Sequence, residues 1–162
     1  MSVCTFIAAD YPLHEVSPHK DYPLHVDVDK GTIYDGDADD NFFLHSFESV
    51  KSYTDKEYGV SLEWAYYTEG RANLVLQYIH TILKHTDSVE LWRVWLMDYY
   101  EYEDRPVIHK RTISFKDLTV NDIKEIDAAE VWNKPDKYYP DRPSFYCMTI
   151  QKLTRSERRY VL

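Results

Sequence analysis

The stretch SVELWRVWLM, residues 88–97, decides the fold. Side chains of an extended strand alternate between its two faces. Large apolar side chains occupy both faces here: Trp92, Val94 and Leu96 on one, and Leu91, Trp95 and Met97 on the other. A strand that is apolar on both faces must be covered on both. The sequence therefore predicts an interior strand with a layer of structure on each side.

The elements around this strand predict an α+β fold. Thr68 is suited to cap a helix, and the apolar residues after it recur at helical spacing: Ala72, Val75, Leu76, Ile79, Ile82 and Leu83. Thr119 opens a second predicted helix, with Asp122 at its third position. Further strands are predicted near residues 58–64, 107–115 and 144–151. From about residue 58 the order is strand, helix, strand, strand, helix, strand, which resembles ferredoxin-like domains.

The N-terminal segment, residues 1–48, is predicted to form a β-meander that extends or caps this sheet. Its strands are expected at residues 3–8, 25–29 and 42–47. Alternation within the second strand directs Val26 and Val28 to the core and leaves the polar side chains in solvent: His25, Asp27 and Asp29. The helices of a ferredoxin-like sheet cover only one face. We therefore expect the N-terminal strands, or a second subunit in a homodimer, to cover the other.

Length and composition predict one domain over residues 1–162. It would consist of the acidic segment 1–48, a ferredoxin-like core over 58–151 and a basic tail over 152–162. The chain is 44% hydrophobic, which is too apolar for a disordered protein. It contains no apolar run of the roughly 20 residues that a membrane span needs, and its first residues do not resemble a signal peptide. We expect a cytoplasmic protein without membrane contact.

Charge is concentrated at the N-terminus. Residues 1–48 carry ten Asp or Glu against Lys20 and Lys30, a net charge of −8, whereas the whole chain carries −9. Binding to a phosphate backbone needs clustered Lys and Arg, so nucleic acid is not an expected partner. A like-charged block repels itself unless a cation, a basic partner or solvent absorbs its field. The sequence therefore predicts a basic protein partner.

The acidic turn offers an alternative, a divalent metal site. Asp35, Asp37 and Asp39 stand at alternate positions, as in the first half of an EF-hand loop. The resemblance fails at Asp40, where the loop needs glycine, and at Ser46, where it needs glutamate. A second version adds His25, because imidazole and carboxylate together suit transition metals. These groups support an alternative function, a metal-dependent hydrolase or small-ligand-binding enzyme using the Asp and His side chains of residues 14–45.

Other catalytic motifs are lacking. Cys4 and Cys147 lie in apolar strand-like contexts without a nucleophile signature. The glycine-rich fingerprints of nucleotide-binding loops are absent, and Arg71 at the start of the long helix is expected to be solvated. A non-enzymatic protein without a cofactor is therefore favoured over an enzyme.

Tyrosines at the ends of predicted elements indicate an interaction surface, because Tyr is enriched in protein interfaces. We predict a binding surface made of these tyrosines and the N-terminal polar residues: His25, Asp27, Asp29, Asp35, Asp37, Asp39, Asp40, Tyr99, Tyr100, Tyr102, Tyr138 and Tyr139. The predicted function is an interaction domain, inhibitor-like or immunity-like, that docks a basic partner.

A short repeat lies within the acidic segment. The sequence DYPLH occurs at residues 10–14 and again at 21–25. Each proline favours an extended conformation in the tyrosine before it. We expect two similar extended segments, each of which buries its leucine, Leu13 or Leu24.

Overall fold

Residues 2–131 and 142–152 are described in the structure, which is a computed structural model. The described residues form strands β1 (Val3–Ala9), β2 (His25–Asp27), β3 (Thr32–Tyr34), β4 (Phe43–Ser46), β5 (Tyr58–Glu63), β6 (Ser88–Trp95), β7 (Ile108–Ser114) and β8 (Phe145–Gln151). The helices are α1 (Glu69–Leu83), α2 (Asp98–Glu101) and α3 (Val120–Asp127), with 3-10 turns at Glu48–Ser52 and Phe115–Asp117. The mixed α+β class is confirmed.

Six strands form one mixed sheet in the order β4-β5-β1-β6-β8-β7. All neighbours are antiparallel except β7 and β8, which run parallel and are joined through α3. The other two strands, β2 and β3, pair only with each other, as an antiparallel hairpin outside the main sheet.

The ferredoxin-like order predicted after residue 58 is not confirmed, and a short helix, α2, stands between β6 and β7. Strand β1 lies between β5 and β6, and β7 and β8 are parallel neighbours. The reason is the burial of β1. Its residues Phe6 to Ala9 are wholly buried, so the strand occupies the interior of the sheet and pairs along both edges.

The N-terminal segment does not form one meander. Its β1 is central, β4 lies at a sheet edge, and the β2–β3 hairpin stands apart. The expected inward orientation of Val26 and Val28 is wrong, because both side chains are exposed. Val26 lies in β2 and Val28 in the turn that follows it, and neither side chain belongs to the core.

Helices α1 and α3 cover the first face of the sheet. The Thr68 side chain caps α1 by accepting a hydrogen bond from the Arg71 amide, at 3.1 Å. The Asp122 carboxylate accepts the Thr119 amide at the start of α3, at 2.8 Å. The predicted apolar stripe of α1 packs here together with Ile123 and Ile126 of α3.

The second face is covered by the chain itself. The turn over 48–52 and the segment 96–106 lie over a cluster that includes Phe6, Trp92 and Phe145. The Phe6 and Trp92 rings stack with centroids 5.9 Å apart, and the Tyr53 hydroxyl donates to the Leu96 carbonyl. Strand β6 thus has the two covers that its sequence predicts. The second cover needs no other subunit, which removes the observation behind the predicted homodimer.

Candidate interaction surface

The acidic turn over residues 35–40 is built around a buried arginine. Arg71, in the first turn of α1, has no exposed surface. Its Nη2 lies 2.7 Å from Asp35 Oδ1, its Nε donates to the Ala38 carbonyl at 3.1 Å, and its Nη1 donates to the Tyr66 carbonyl at 3.0 Å. The expectation of a solvated Arg71 is therefore wrong. One side chain joins the turn to the helix through three hydrogen bonds.

Asp35 is the buried partner in this contact. Its carboxylate also accepts the Asn41 amide and the Asp37 backbone amide, both at 3.1 Å. Burial by itself would raise the pKa of Asp35, but the hydrogen bonds, led by that from Arg71, outweigh burial and lower the pKa. Asp35 is thus an anionic structural residue and not a free ligand.

Asp37 and Asp40 of the turn also accept hydrogen bonds from the chain itself. Asp37, at a φ of 59°, accepts the Tyr66 hydroxyl. Asp39 lies against Gly70, where a Cβ would collide with the carboxylate. Asp40 accepts the His19 amide at 2.8 Å and the Tyr22 hydroxyl at 2.6 Å, and these bonds lower the pKa of Asp40.

The predicted metal ligands do not come together. In the part of the chain that the structure describes, no group of three His, Cys, Asp or Glu side chains could hold a metal ion. Asp35 is bound to Arg71, and His25 lies on the separate hairpin. The cation bound by this turn is a guanidinium. The sequence contains no local sign of it, because Arg71 lies about 30 residues after the turn and meets it only in the folded chain.

The β2–β3 hairpin presents an apolar face to solvent. Val26 pairs with Ile33 and shares its face, Leu24 directly precedes the strand, and Val28 opens the turn. The exposed fractions are 53% for Leu24, 61% for Val26, 86% for Val28 and 45% for Ile33. The Lys30 amide donates to Asp27 Oδ1 at 3.0 Å, and Gly31 supplies a φ of 64° for the turn. The hairpin is therefore shaped by its own turn, and these apolar side chains remain between about half and almost fully exposed.

A pocket of about 290 Å³ adjoins this hairpin. Leu24 forms part of its wall together with Phe43 and Trp64, and Trp64 is held in place because its Nε1 donates to Asp127 at 3.0 Å. The exposed carboxylate of Glu63 also lines the pocket. Leu24 thus links the apolar face of the hairpin to an aromatic recess.

Carboxylates are close to these apolar residues in the sequence. Asp27 and Asp29 lie on the hairpin, and Asp37 and Asp39 follow on the turn. Lys30 is the one Lys or Arg between residues 21 and 40. We call the apolar face and these carboxylates the hairpin surface: Leu24, Val26, Val28, Ile33, Asp27, Asp29, Asp37 and Asp39. Both leucines of the DYPLH repeat were expected to be buried. Leu13 packs against the core, but Leu24 does not.

The predicted tyrosines lie elsewhere. Tyr99 and Tyr100 are exposed on the segment over the second sheet face. That segment is fixed by a buried ion pair, in which Arg142 Nε and Nη2 donate to the two oxygens of Asp98 at 3.0 and 2.9 Å. The Tyr102 ring stacks on Arg142, 4.2 Å from its Cζ. The acidic turn binds α1, on the first face, so the structure divides the predicted surface between two sides of the sheet. Tyr138 and Tyr139 lie outside the described residues.

Neither thiol is suited to nucleophilic catalysis. Burial raises the pKa of Cys4 and of Cys147 to about 12, and only the thiolate is an effective nucleophile.

Comparison with protein-family models, with curated proteins and with solved structures found no match for this chain. Within the described ranges, none of the helices has the length and apolar character needed to span a bilayer.

Proposed function

We propose that this protein is a non-enzymatic interaction domain, inhibitor-like or immunity-like, that binds a basic protein through the hairpin surface. The observation that supports this proposal is the exposure of four apolar side chains on or directly beside one hairpin, Leu24, Val26, Val28 and Ile33, with Asp27 and Asp29 among them in the sequence. Contiguous apolar patches with a polar rim are typical of interaction sites.

The energetics favour a partner that also enters the adjoining pocket. Full burial of a Val, Leu or Ile side chain stabilises by about 1.5–3 kcal/mol. Four half-exposed side chains then supply several kcal/mol, whereas association costs about 4–15 kcal/mol in lost freedom of motion. The hairpin alone is therefore too small for stable binding. Contact with Phe43 and Trp64 would extend the apolar area, and an aromatic recess is the kind of place where interface hot spots occur.

Charge favours a basic partner over a second copy of this chain. Packing two hairpins face to face would bring the two acidic rims together, and like charges in an interface are unfavourable. A partner with Lys and Arg around an apolar centre would instead match the rim and associate faster at low salt. We further propose a reducing compartment such as the cytoplasm, which the two free cysteines support.

The test is comparative capture from a lysate of the native cells. The immobilised chain is compared with a hairpin variant that combines Val26→Ser, Val28→Ser and Ile33→Ser. The control combines Tyr99→Ser and Tyr100→Ser, exposed side chains outside the hairpin surface. Quantitative mass spectrometry measures recovery at about 50 mM and about 500 mM salt, because ionic strength screens exposed charges.

We expect basic proteins to be recovered by the parent chain and by the tyrosine control at low salt only, and to be lost from the hairpin variant. Equal recovery by the hairpin variant would overturn the proposal. A concentration-dependent dimer in sedimentation, abolished by the same three substitutions, would assign the face to a second copy instead.

The alternative function, a metal-dependent hydrolase or small-ligand-binding enzyme using residues 14–45, has less support. It needs the Asp and His side chains of that segment to converge, and Asp35, Asp37 and Asp40 are instead engaged by donors of the chain itself. Metal analysis of protein purified without chelator tests this alternative, which predicts a stoichiometric ion.

A further inference from the structure

A polar cleft opens on the second face of the sheet, where the chain's own cover ends. Its volume is about 420 Å³, within the range of about 300–1,000 Å³ typical of small-molecule sites. Trp92 and Ile108 supply its apolar surface, and charged groups of both signs line it: Asp10, Asp55 and Glu90, and Lys56, Arg105 and Lys110. The cleft shares no lining residue with the pocket beside the hairpin.

Glu90 is the most strongly oriented group in the cleft. One of its oxygens, Oε1, accepts the Thr54 hydroxyl at 2.5 Å and the Trp92 indole N–H at 3.0 Å. Both donors are neutral, and Glu90 forms no ion pair with a described residue. These bonds fix the orientation of the Glu90 carboxylate but do not neutralise its charge. Its Oε2 remains available to accept a hydrogen bond from a cationic group.

Two cations of the cleft keep unused donors. Arg105 donates one Nη1 hydrogen bond to the Tyr53 carbonyl, at 2.6 Å, which leaves further guanidinium N–H groups. Lys110 is exposed and forms neither a hydrogen bond nor an ion pair with any described residue. Lys56 differs, because it is already bound to Asp10 at 3.3 Å and to Ser88 at 3.0 Å.

Glu90 and Lys110 are too far apart across the sheet to form a direct ion pair. Glu90 lies on β6 and Lys110 on β7, with β8 between them. Two strand spacings amount to about 9.5 Å. Lys110 is also displaced along the sheet, since it aligns through Cys147 with Trp92 and not with Glu90. A small molecule can therefore lie between the two charges, over the Trp92 side of the cleft.

We propose that this cleft binds a free α-amino acid, independently of the hairpin surface. The ammonium group of the ligand is held by Glu90, and its carboxylate by Lys110 and Arg105. A simple anion is disfavoured because three carboxylates line the cleft, and a simple cation is disfavoured by the three basic side chains. A zwitterion satisfies both sets, and Ile108, which is less buried than Trp92, supplies an apolar surface for its side chain.

The test uses three probes that separate the two charges. They are L-alanine with both charges, propionate with only the carboxylate, and L-alaninamide with only the ammonium group, compared at equal ionic strength. The Trp92 indole N–H signal in a ¹⁵N correlation spectrum reports from within the cleft. We expect L-alanine to shift this signal saturably, and the single-charge probes to bind about tenfold more weakly or worse, since each lacks one ion pair.

Variants assign the contacts. Glu90→Gln keeps an oxygen acceptor for Thr54 and Trp92 but removes the charge, and Lys110→Met removes the exposed cation. Each is expected to weaken L-alanine binding by about tenfold or more. Lys51→Met is the matched control, because Lys51 is an exposed lysine outside the cleft, paired with Glu57 at 2.7 Å. It is expected to bind like the parent chain.

The outcomes decide the proposal. It is overturned if L-alanine gives no saturable shift up to about 50 mM, a concentration well above that of weak millimolar binding. Propionate binding as tightly as L-alanine would overturn it in favour of an anion site, and unchanged binding by both variants would overturn the contacts. If Glu90→Gln fails to fold, Lys110→Met decides alone, since Lys110 is exposed.

Discussion

Replacing Arg71 with methionine removes the cation at the centre of the acidic turn and keeps an unbranched side chain of similar shape. Asp35 then remains as a buried carboxylate without its ion-pair partner, and the Ala38 and Tyr66 carbonyls lose their donors. Breaking a buried ion pair by removing one partner costs about 3–5 kcal/mol. A domain of this size has a total stability of about 5–15 kcal/mol, so the expected loss is a large part of it.

The loss should depend on pH in a defined direction. In the parent chain the pKa of Asp35 is lowered, so its contribution to stability is present above the unfolded pKa of about 3.9 and is lost as the pH falls through the folded value. Without Arg71, burial raises that pKa instead. Protonation of Asp35 then removes the buried charge and restores part of the variant's stability. The difference in stability between the parent chain and Arg71→Met should therefore be largest near pH 7 and smaller near pH 4.5.

Urea denaturation followed by circular dichroism at both pH values measures this effect. At a slope of about 2 kcal/mol per molar urea, a loss of about 4 kcal/mol lowers the midpoint by about 2 M. The double variant Arg71→Met with Asp35→Asn should be more stable than Arg71→Met alone, because it buries no unpaired charge.

The matched control is Arg111→Met, which breaks exposed contacts with Asp122 and Glu125 and should cost about 1 kcal/mol or less. Equal losses for Arg71→Met and Arg111→Met at pH 7 would refute the structural role assigned to Arg71.

Three further predictions concern other parts of the fold. Cys4 and Cys147, whose burial raises their pKa values to about 12, should react with a maleimide far more slowly in the native state than in urea; equal rates, followed by mass spectrometry, would contradict their burial. Gly59→Ala should destabilise by about 1–3 kcal/mol in urea denaturation, because the new Cβ would come within 2.9 Å of Val50; an unchanged midpoint would show that Val50 moves freely. Arg142→Met should cost about 3–5 kcal/mol through its buried pair with Asp98, and in hydrogen exchange it should speed the amides of 98–106; no loss of protection there would contradict the anchoring role.

Local sequence patterns predicted the layers of this fold but not the neighbours in its sheet. The two covers of β6 follow from its alternating side chains, and α1 follows from Thr68 and the apolar stripe. Strand order depends on pairings distant in sequence, which no local pattern encodes. A usable sign was nevertheless present in β1, where VCTFIAA carries apolar residues at successive positions, as expected of an interior strand.

Alternation groups the side chains of a strand by face but does not tell which face meets the core. It therefore predicted a buried Val26 and Val28, whereas both are exposed. The turn over 35–40 was predicted, as an alternative, to hold a divalent metal, whereas Asp35 of this turn pairs with the guanidinium of Arg71. The identity of that cation depended on the first turn of α1, about 30 residues later, which approaches the turn only in the folded chain.

Photo-cross-linking from the hairpin is the most direct test of its role in partner binding. A benzophenone amino acid replaces Val28, the most exposed apolar residue of the hairpin surface, and in a separate control it replaces the exposed Lys51. Irradiation in the native cells should yield adducts with basic proteins from position 28 and not from position 51, and rim substitutions Asp27→Asn and Asp29→Asn should reduce their yield. The absence of adducts at position 28, or the same adducts from both positions, would contradict a docking role for the hairpin.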